Sequence, residues 1–173
     1  MYNQKTKKFS FKYDKALNAL LYVTKNVHNL YNVVKVFYFA DKLHLSKYGR
    51  FIFGDTYIAM EKGPVPSKIY DMIKSVRENR LDFQSAKLKK AIKVEKNDIY
   101  AIADPDFDYL SKSDLECLDE AVAKYGFADH RIIYKESHDS AYNSTELNSE
   151  IMVEKIIGTL NNKEAVKDYI DNF

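Results

Sequence analysis

The chain has 173 residues and a mass of 20.2 kDa, which predicts a single globular domain. Hydrophobic residues make up 46% of it and charged residues 30%, which excludes a disordered or collagen-like chain. No apolar run approaches the ~18 residues that cross a bilayer, and the N-terminus lacks the apolar segment of a secretory signal. A single cysteine, Cys117, excludes a disulfide framework and a cysteine zinc site, so we expect a cytoplasmic protein.

The net charge of +2 conceals a polarity along the chain. Residues 1–50 carry ten Lys and Arg against two Asp and Glu (+8), residues 51–103 ten against seven (+3), and residues 104–173 seven against sixteen (−9). Either the basic and acidic parts neutralise each other within one fold, or they bind nucleic acid at one end and a cationic protein at the other. The first interpretation is favoured, because blocks of charge usually mark solvated faces.

Helical spacing of apolar residues predicts two helices in the first third of the chain. The first begins near Asp14, a good N-cap, and continues to Val27. The second is capped by Asn29 or Asn32 and ends at Gly49, which can adopt the left-handed conformation that closes a helix.

The middle of the chain is predicted to contain extended structure. Residues 51–60 are rich in aromatic and β-branched side chains and are bounded by glycines. The Gly-Pro-Val-Pro segment 63–66 cannot be helical, because each proline moves the residue before it out of the α region. Ser67 then caps a third helix with a buried apolar face.

Beyond the third helix, the apolar periodicity changes to two. Alternation between residues 92 and 103 predicts a β-hairpin with Asn97 and Asp98 in its turn. Ser113, with Glu116 three residues later, is a predicted capping box that opens the next helix.

The last third is predicted to be helical. Asp129 caps a short helix over residues 132–135, Ser149 caps one that reaches Ile157, and the last helix covers about residues 164–170. We therefore predict an α+β fold, predominantly α-helical, in which a single domain carries a small β-hairpin or sheet.

Few residues form a pattern that indicates chemistry. Asp41 and His44 share a face of the second helix and could act as a base and its orienting group, or as metal ligands. His138 and Asp139 lie on a predicted loop near His130. No metalloprotease or phosphate-loop motif accompanies them, so we expect these groups to form hydrogen bonds at helix ends. No catalytic residue, cofactor or metal site is predicted.

The chain has fourteen Tyr, ten Phe and no Trp. Surface tyrosines could anchor a protein partner, or the core could be built from aromatic rings, and both interpretations stay open. Basic residues near the N-terminus, among them Lys5, Lys7 and Lys8, could contact phosphates. DNA binding is disfavoured because no helix-turn-helix pair with a basic recognition helix is present.

Three segments carry a resemblance to a known family. They are FYFADKLHLSKYGR at 37–50 with GDTYIAM at 54–60 and GPVPSKIYD at 63–71, LSKSD at 110–114 with LD at 118–119 and YG at 125–126, and SHDSAY at 137–142. They closely resemble the signature of the Panacea, or SocA-like, antitoxin domain, also met as the phage-associated GepA-type protein. The resemblance covers about residues 14–142 of a single domain, 1–173, and leaves the C-terminal helices at 149–172 outside the family pattern.

The resemblance implies an antitoxin of a bacterial or prophage toxin–antitoxin pair, of a kind that serves phage defence. It would neutralise a cognate protein toxin by direct contact, without catalysis, cofactor or membrane. An implied alternative is an adaptor that delivers the toxin to a AAA+ protease, and a lesser one is a DNA-binding autoregulator. The acidic last third would suit a basic toxin. The toxin, its contact surface and the oligomeric state stay open.

The motif positions are the candidate partner-binding residues, namely Tyr38, Asp41, His44, Tyr57, Gly63, Pro64, Val65, Pro66, Ser67, Tyr70, His138 and Tyr142. Ser140 stands where the family has an acid, and Tyr142 stands where it has Trp. The Gly-Pro-Val-Pro segment is either a stiff contact surface or a structural clasp that Asp41 and His44 hold to the second helix. The clasp is favoured, because Gly and Pro more often serve backbone geometry than contact.

Overall fold

The computed structural model describes residues 9–173, so the predicted phosphate contacts Lys5, Lys7 and Lys8 lie outside the described residues. The helices are α1 (Tyr13–Thr24), α2 (Leu30–Tyr48), α3 (Ser67–Arg77), α4 (Phe83–Leu88), α5 (Lys112–Tyr125), α6 (His130–Ser137), α7 (Ser140–Asn143), α8 (Val153–Gly158) and α9 (Lys163–Asp171), with a 3-10 turn at Phe107–Tyr109. The strands are β1 (Tyr57–Met60), β2 (Gly63–Pro66), β3 (Ile92–Glu95) and β4 (Asp98–Ala101). The predicted α+β, mostly helical class is confirmed. None of the helices in the described part is long and apolar enough to cross a membrane.

Helix α2 is the centre of the fold. Twelve of its 19 residues are buried, and it packs against α5, α6, α8, α9 and β2. Its predicted ends are confirmed, since Asn29 accepts hydrogen bonds from the backbone N–H groups of the first turn and Gly49 closes the helix at φ 69°. A helix enclosed on most sides must satisfy its polar side chains inside the protein.

Strands β1 and β2 form an antiparallel hairpin that a third segment extends. Ala59 donates its N–H to the carbonyl oxygen of Ser149 at 2.9 Å, on the side of β1 opposite β2. Its neighbour Ile58 is therefore the β1 residue that exchanges hydrogen bonds with Val65, its register partner. The two prolines of β2 occupy the alternate positions, where a missing N–H leaves no gap in the ladder.

The predicted cap of α3 is wrong. Ser67 is the first residue of the helix, and Pro66 in the N-cap position offers no side-chain hydrogen bond. The buried carboxylate of Asp55 takes that role, accepting from the backbone N–H of Lys68 at 2.9 Å and of Ile69 at 3.0 Å. The cap comes from a residue twelve positions earlier, which no local pattern around Ser67 could indicate.

The first helix and the second hairpin differ from their predicted bounds. Helix α1 begins at Tyr13, with Asp14 inside the first turn instead of capping it, and ends at Thr24, three residues before the predicted Val27. The hairpin of β3 and β4 is confirmed, but its turn is at Lys96 and Asn97, and Asp98 is the first residue of β4. Lys96 adopts φ 56°, the left-handed conformation that this tight turn requires.

Two helix starts in the last third also differ. The capping box of α5 is formed by Ser111 and Asp114, two residues before the predicted Ser113. Ser149 does not cap α8, which begins at Val153 because residues 148–151 lie along β1. Of the predicted strand 51–60, only the part from Tyr57 is a strand.

The other predictions for the last third are confirmed. Asp129 caps α6 by accepting from the backbone N–H of Arg131. The helix covers residues 130–137 and is longer than the predicted 132–135. The last helix lies within one residue of its predicted bounds. Cys117 is fully buried.

Cations from the first part of the chain pair with carboxylates from the last part. The pairs are Lys15 and Arg50 with Asp114, Lys25 with Asp104, Lys42 with Asp139, and Lys47 with Glu116 and Glu120. This pairing supports the interpretation that the two charged parts neutralise each other. The positive surplus of residues 51–103 is not compensated in this way.

We expect Asp55→Ala to destabilise the protein by about 2 kcal/mol, because it leaves buried N–H groups of α3 without an acceptor. Asp129→Ala is the matched control, since it removes an exposed cap from α6, and its loss should be smaller. Urea denaturation followed by circular dichroism measures both. Equal losses would contradict a buried cap at Asp55.

Candidate functional site

The Gly-Pro-Val-Pro strand meets α2 at a buried lysine. The Nζ of Lys35 donates to the carbonyl oxygen of Pro64 at 2.8 Å, and the Lys35 side chain is fully buried. The register of the hairpin points this carbonyl away from β1, so the lysine satisfies an acceptor that β1 cannot reach. Lys35 therefore joins β2 to the central helix.

The surroundings of Lys35 favour its neutral form. Its Nζ lies 5.1 Å from the centre of the Tyr31 ring, a contact that favours the charged form, but no carboxylate among residues 9–173 forms an ion pair with it. Desolvation by burial lowers the pKa of Lys35 from the usual 10.5 to about 7. A buried amine without a counter-charge is destabilising when protonated, so this contact is sensitive to pH.

Gly63 permits the close approach of three elements. It adopts φ 107°, and a Cβ built on it would lie 3.0 Å from the Oγ of Ser137 and 3.1 Å from the Nζ of Lys35. Helix α6 and the lysine of α2 thus both contact the start of β2. Glycine is required here by conformation and by space.

The Ser-His-Asp-Ser-Ala-Tyr segment binds the same region from α6 and α7. Asp139 accepts hydrogen bonds from the hydroxyl of Tyr38 at 2.7 Å and from the ammonium of Lys42 at 2.9 Å. Its other oxygen caps α7 by accepting from the backbone N–H of Tyr142 at 3.1 Å. The Tyr142 hydroxyl donates to the carbonyl oxygen of Met60 at 2.6 Å. The segment therefore connects α2 to the first hairpin.

His138 lies between two tyrosine rings. Its ring centre is 3.6 Å from that of Tyr134, in a stacked arrangement, and 4.3 Å from that of Tyr142, edge to face. Its Nδ1 donates to the carbonyl oxygen of Tyr134 at 2.7 Å, whereas its buried Nε2 has no hydrogen-bond partner in the described part of the chain. Tyr134 is half exposed, so this stack reaches the surface.

Asp41 holds the irregular segment between α2 and β1. Its carboxylate accepts from the backbone N–H of Ile52 at 2.7 Å and from the hydroxyl of Tyr57 at 2.6 Å. Burial raises the pKa of Asp41 to about 7, against these two hydrogen bonds, which lower it. Burial raises the pKa of Tyr57 as well, so the phenol remains a donor.

His44 joins α2 to the start of α5. Its Nδ1 donates to the carbonyl oxygen of Arg50 at 2.9 Å, and its Nε2 lies 3.0 Å from the Oγ of Ser113 and 3.3 Å from Asp114. Asp114 is also fully buried and forms an ion pair with Lys15 at 2.7 Å. Burial alone would raise the pKa of Asp114, but hydrogen bonds from His44 and Lys15 overcome it and hold the pKa below its usual value.

The predicted clasp of the Gly-Pro-Val-Pro strand is therefore formed by a different residue. Asp41 binds the backbone of the 51–57 segment and His44 binds α5, and neither forms a hydrogen bond with β2. Lys35, which sequence reasoning missed, makes the hydrogen bond to β2. Its signal in the sequence is its position inside the otherwise apolar run 33–40.

The histidines considered as metal ligands are not gathered. His44 lies against Asp114, His138 lies in the tyrosine stack, and the Nε2 of His130 lies 2.9 Å from the Oδ1 of Asn32. In the stretch that the structure describes, no three His, Cys, Asp or Glu side chains are placed to hold a metal ion.

Burial separates the motif residues into two sets. The interior set is Tyr38, Asp41, His44, Tyr57, Gly63, Pro64, Val65 and Pro66. The partly exposed set is Ser67, Tyr70, His138 and Tyr142. A partner can touch the side chains of the second set without opening the fold, and their role as contacts stays a prediction.

We expect Lys35→Met to change how stability depends on pH. Between pH 7 and 10.5 the unfolded lysine is protonated and the native one is not, so wild-type stability rises by about 5 kcal/mol across this interval. The methionine variant should lack this rise. Unfolding free energies measured by denaturant titration at several pH values test it, with the exposed Lys87→Met as control. A wild-type slope retained in Lys35→Met would contradict the buried neutral amine.

Asp41→Asn should remove a dependence of stability on pH that is opposite in sign to that of Lys35. Between pH 3.8 and 7 the unfolded carboxyl is ionised and the native one is protonated, so wild-type stability falls by about 4 kcal/mol as the pH rises. Asparagine can still accept from the Ile52 N–H, so the fold is kept while this titration disappears. The same denaturant titrations measure it, and an unchanged fall between these pH values would contradict the assignment.

One protein-family model matches this chain. The family model of the Antitoxin SocA-like, Panacea domain matches residues 33–144, from the start of α2 to the end of α7. Comparison with curated proteins and with solved structures gives no match. The matched region contains Lys35, the first hairpin and the Ser-His-Asp-Ser-Ala-Tyr segment that this hairpin binds. The chain belongs to the SocA-like antitoxin family defined by the Panacea domain.

Proposed function

We propose that this chain is a cytoplasmic antitoxin that neutralises a cognate protein toxin by direct binding. The observation that carries the proposal is the match of residues 33–144 to an antitoxin domain family. The arrangement of the motif supports it. Lys35, Asp41 and Asp139 use their polar groups within the fold, so the signature specifies a framework and leaves the surface for a partner.

Exposed aromatic side chains give that surface a means of contact. Tyr134, Phe127 and Tyr169 have 49%, 75% and 50% of their surface exposed. Aromatic rings are enriched in the centres of protein interfaces, because they bury large areas with little loss of side-chain entropy. The partly exposed motif residues Tyr70 and Tyr142 extend this set.

The proposal predicts rescue of growth. We expect the protein encoded by the neighbouring reading frame to arrest growth when expressed alone, and co-expression of this chain to restore it. The two should co-purify as a complex, because occlusion requires stable binding. Arrest that persists on co-expression would contradict the proposal.

The amount of toxin distinguishes occlusion from degradation. If the chain occludes the toxin, the toxin level stays constant after synthesis is stopped. An adaptor for a AAA+ protease would shorten the toxin's lifetime, and deletion of the protease would abolish rescue. A DNA-binding autoregulator would instead shift a promoter fragment in a salt-dependent manner, without affecting growth arrest.

A further inference from the structure

Two highly exposed apolar side chains lie where α3 is joined to α4, Leu81 in the connection and Phe83 as the first residue of α4. We call residues 77–84 the α3–α4 corner, and all eight of them are exposed. Leu81 is 91% exposed and Phe83 is 88% exposed. They are separated by one residue, Asp82, and an exposed apolar patch rimmed by polar residues is a feature of protein interaction sites. Phe173 is similarly exposed, at 94%, but it is the last residue of the sequence, whereas Leu81 and Phe83 lie in its interior.

The corner is held in place on both sides. Where α3 ends, Asn79 adopts φ 51°, its N–H donates to Val76, and the N–H of Arg80 donates to the carbonyl of Ser75 at 3.0 Å. Where α4 begins, the carboxylate of Asp82 caps the helix. It accepts from the backbone N–H of Ser85 at 2.9 Å and from its hydroxyl at 2.7 Å.

Only Leu81 lies between the two caps. A side chain presented by a backbone fixed on both sides loses little entropy on docking, which raises affinity without added contacts. The exposed pair is therefore preorganised for insertion into a partner.

Positive charge is left over where the corner continues through α4 to Lys90, whereas residues 77–84 alone carry two Arg against one Glu and one Asp. Residues 77–90 carry five Lys and Arg against two Asp and Glu, a surplus of +3. Glu78 pairs with Arg80 at 2.9 Å, whereas Arg77, Lys87 and Lys90 form no ion pair with any residue from 9 to 173. By contrast, Lys15 of α1 and Lys42 and Lys47 of α2 form ion pairs with carboxylates of the last third.

A partly exposed face of α3 leads from the family motif to the corner. Ser67, Tyr70, Lys74 and Arg77 follow one another at helical spacing, and the buried side of the helix is formed by Ile69, Met72 and Ile73 instead. A partner that contacts Tyr70 therefore reaches the corner along one continuous surface.

We propose that the α3–α4 corner is the toxin-docking surface, with Leu81 and Phe83 inserted into an apolar pocket of the toxin that carboxylates surround. This inference rests on the proposed antitoxin function and assigns the surface that performs it. The apolar pair requires an apolar pocket, and the unpaired Arg77, Lys87 and Lys90 require an acidic rim. A nucleic acid would match the charge but leave Leu81 unburied. An anionic membrane gains only about 1 kcal/mol per cation, too little from a surplus of three.

The test is the double variant Leu81→Ser/Phe83→Ser, titrated in a calorimeter with the purified protein of the neighbouring reading frame. We expect binding to weaken about 100-fold, as for the loss of two central contacts. Leu147→Ser is the matched control, because it removes an apolar side chain that is 54% exposed from the segment between α7 and α8, and its affinity should stay within about twofold of wild type. Equal melting temperatures for the three proteins confirm that each is folded.

Charge is tested separately by Lys87→Glu/Lys90→Glu. This variant should bind weakly at low ionic strength and approach wild-type affinity at high salt, because screening removes both attraction and repulsion. The same loss at every salt concentration would overturn the acidic rim.

The outcomes separate the two proposals. If the wild type binds and neutralises the toxin, and the Leu81→Ser/Phe83→Ser variant does so equally well, the corner is overturned and the antitoxin function stands. If the wild type itself neither binds nor rescues growth, the antitoxin function falls and the corner falls with it. The double variant could instead keep wild-type affinity for the toxin but lose a binding to phosphatidylserine vesicles or to DNA that the wild type shows. That result would assign the corner to another partner and overturn the inference.

Discussion

The fold depends on how one enclosed helix satisfies its own polar side chains. Helix α2 is covered by four helices and a strand, so each buried polar group on it requires a partner from another part of the chain. Lys35 binds β2, Tyr38 binds Asp139, Asp41 binds the segment before β1, and His44 binds the start of α5. These hydrogen bonds of α2 therefore help to fix where the partner segments lie.

Local signals sufficed where both partners are close in sequence. Asn29, Gly49 and Asp129 act within one turn of their own helices; local sequence identifies Gly49 and Asp129 and narrows the first cap to Asn29 or Asn32. Ser111 and Ser113, two positions apart, each have an acidic residue three positions later, and Ser111 is the one that caps the helix. The cap by Asp55 could not be predicted, since the segment between it and α3 forms the hairpin that brings them together.

The candidate site also depends on a tertiary contact that the local sequence does not reveal. A clasp between α2 and the Gly-Pro-Val-Pro strand was correctly expected, but it was assigned to the acid and the histidine that share a helix face. A lysine is usually solvated, so Lys35 attracted no attention despite its place in the apolar run 33–40. Its burial follows from α6 and β2 covering that side of α2, which is a property of the assembled fold.

The framework and the surface are therefore built from different residues. Ion pairs between the first and last thirds neutralise many of the opposite charges of the chain. The polar motif groups form hydrogen bonds inside the protein. The accessible surface includes the partly exposed face of α3 and the corner that follows it, where Leu81 is 91% exposed and Phe83 is 88% exposed. Substitutions there can change the partner at little cost to stability, since exposed side chains contribute little to folding.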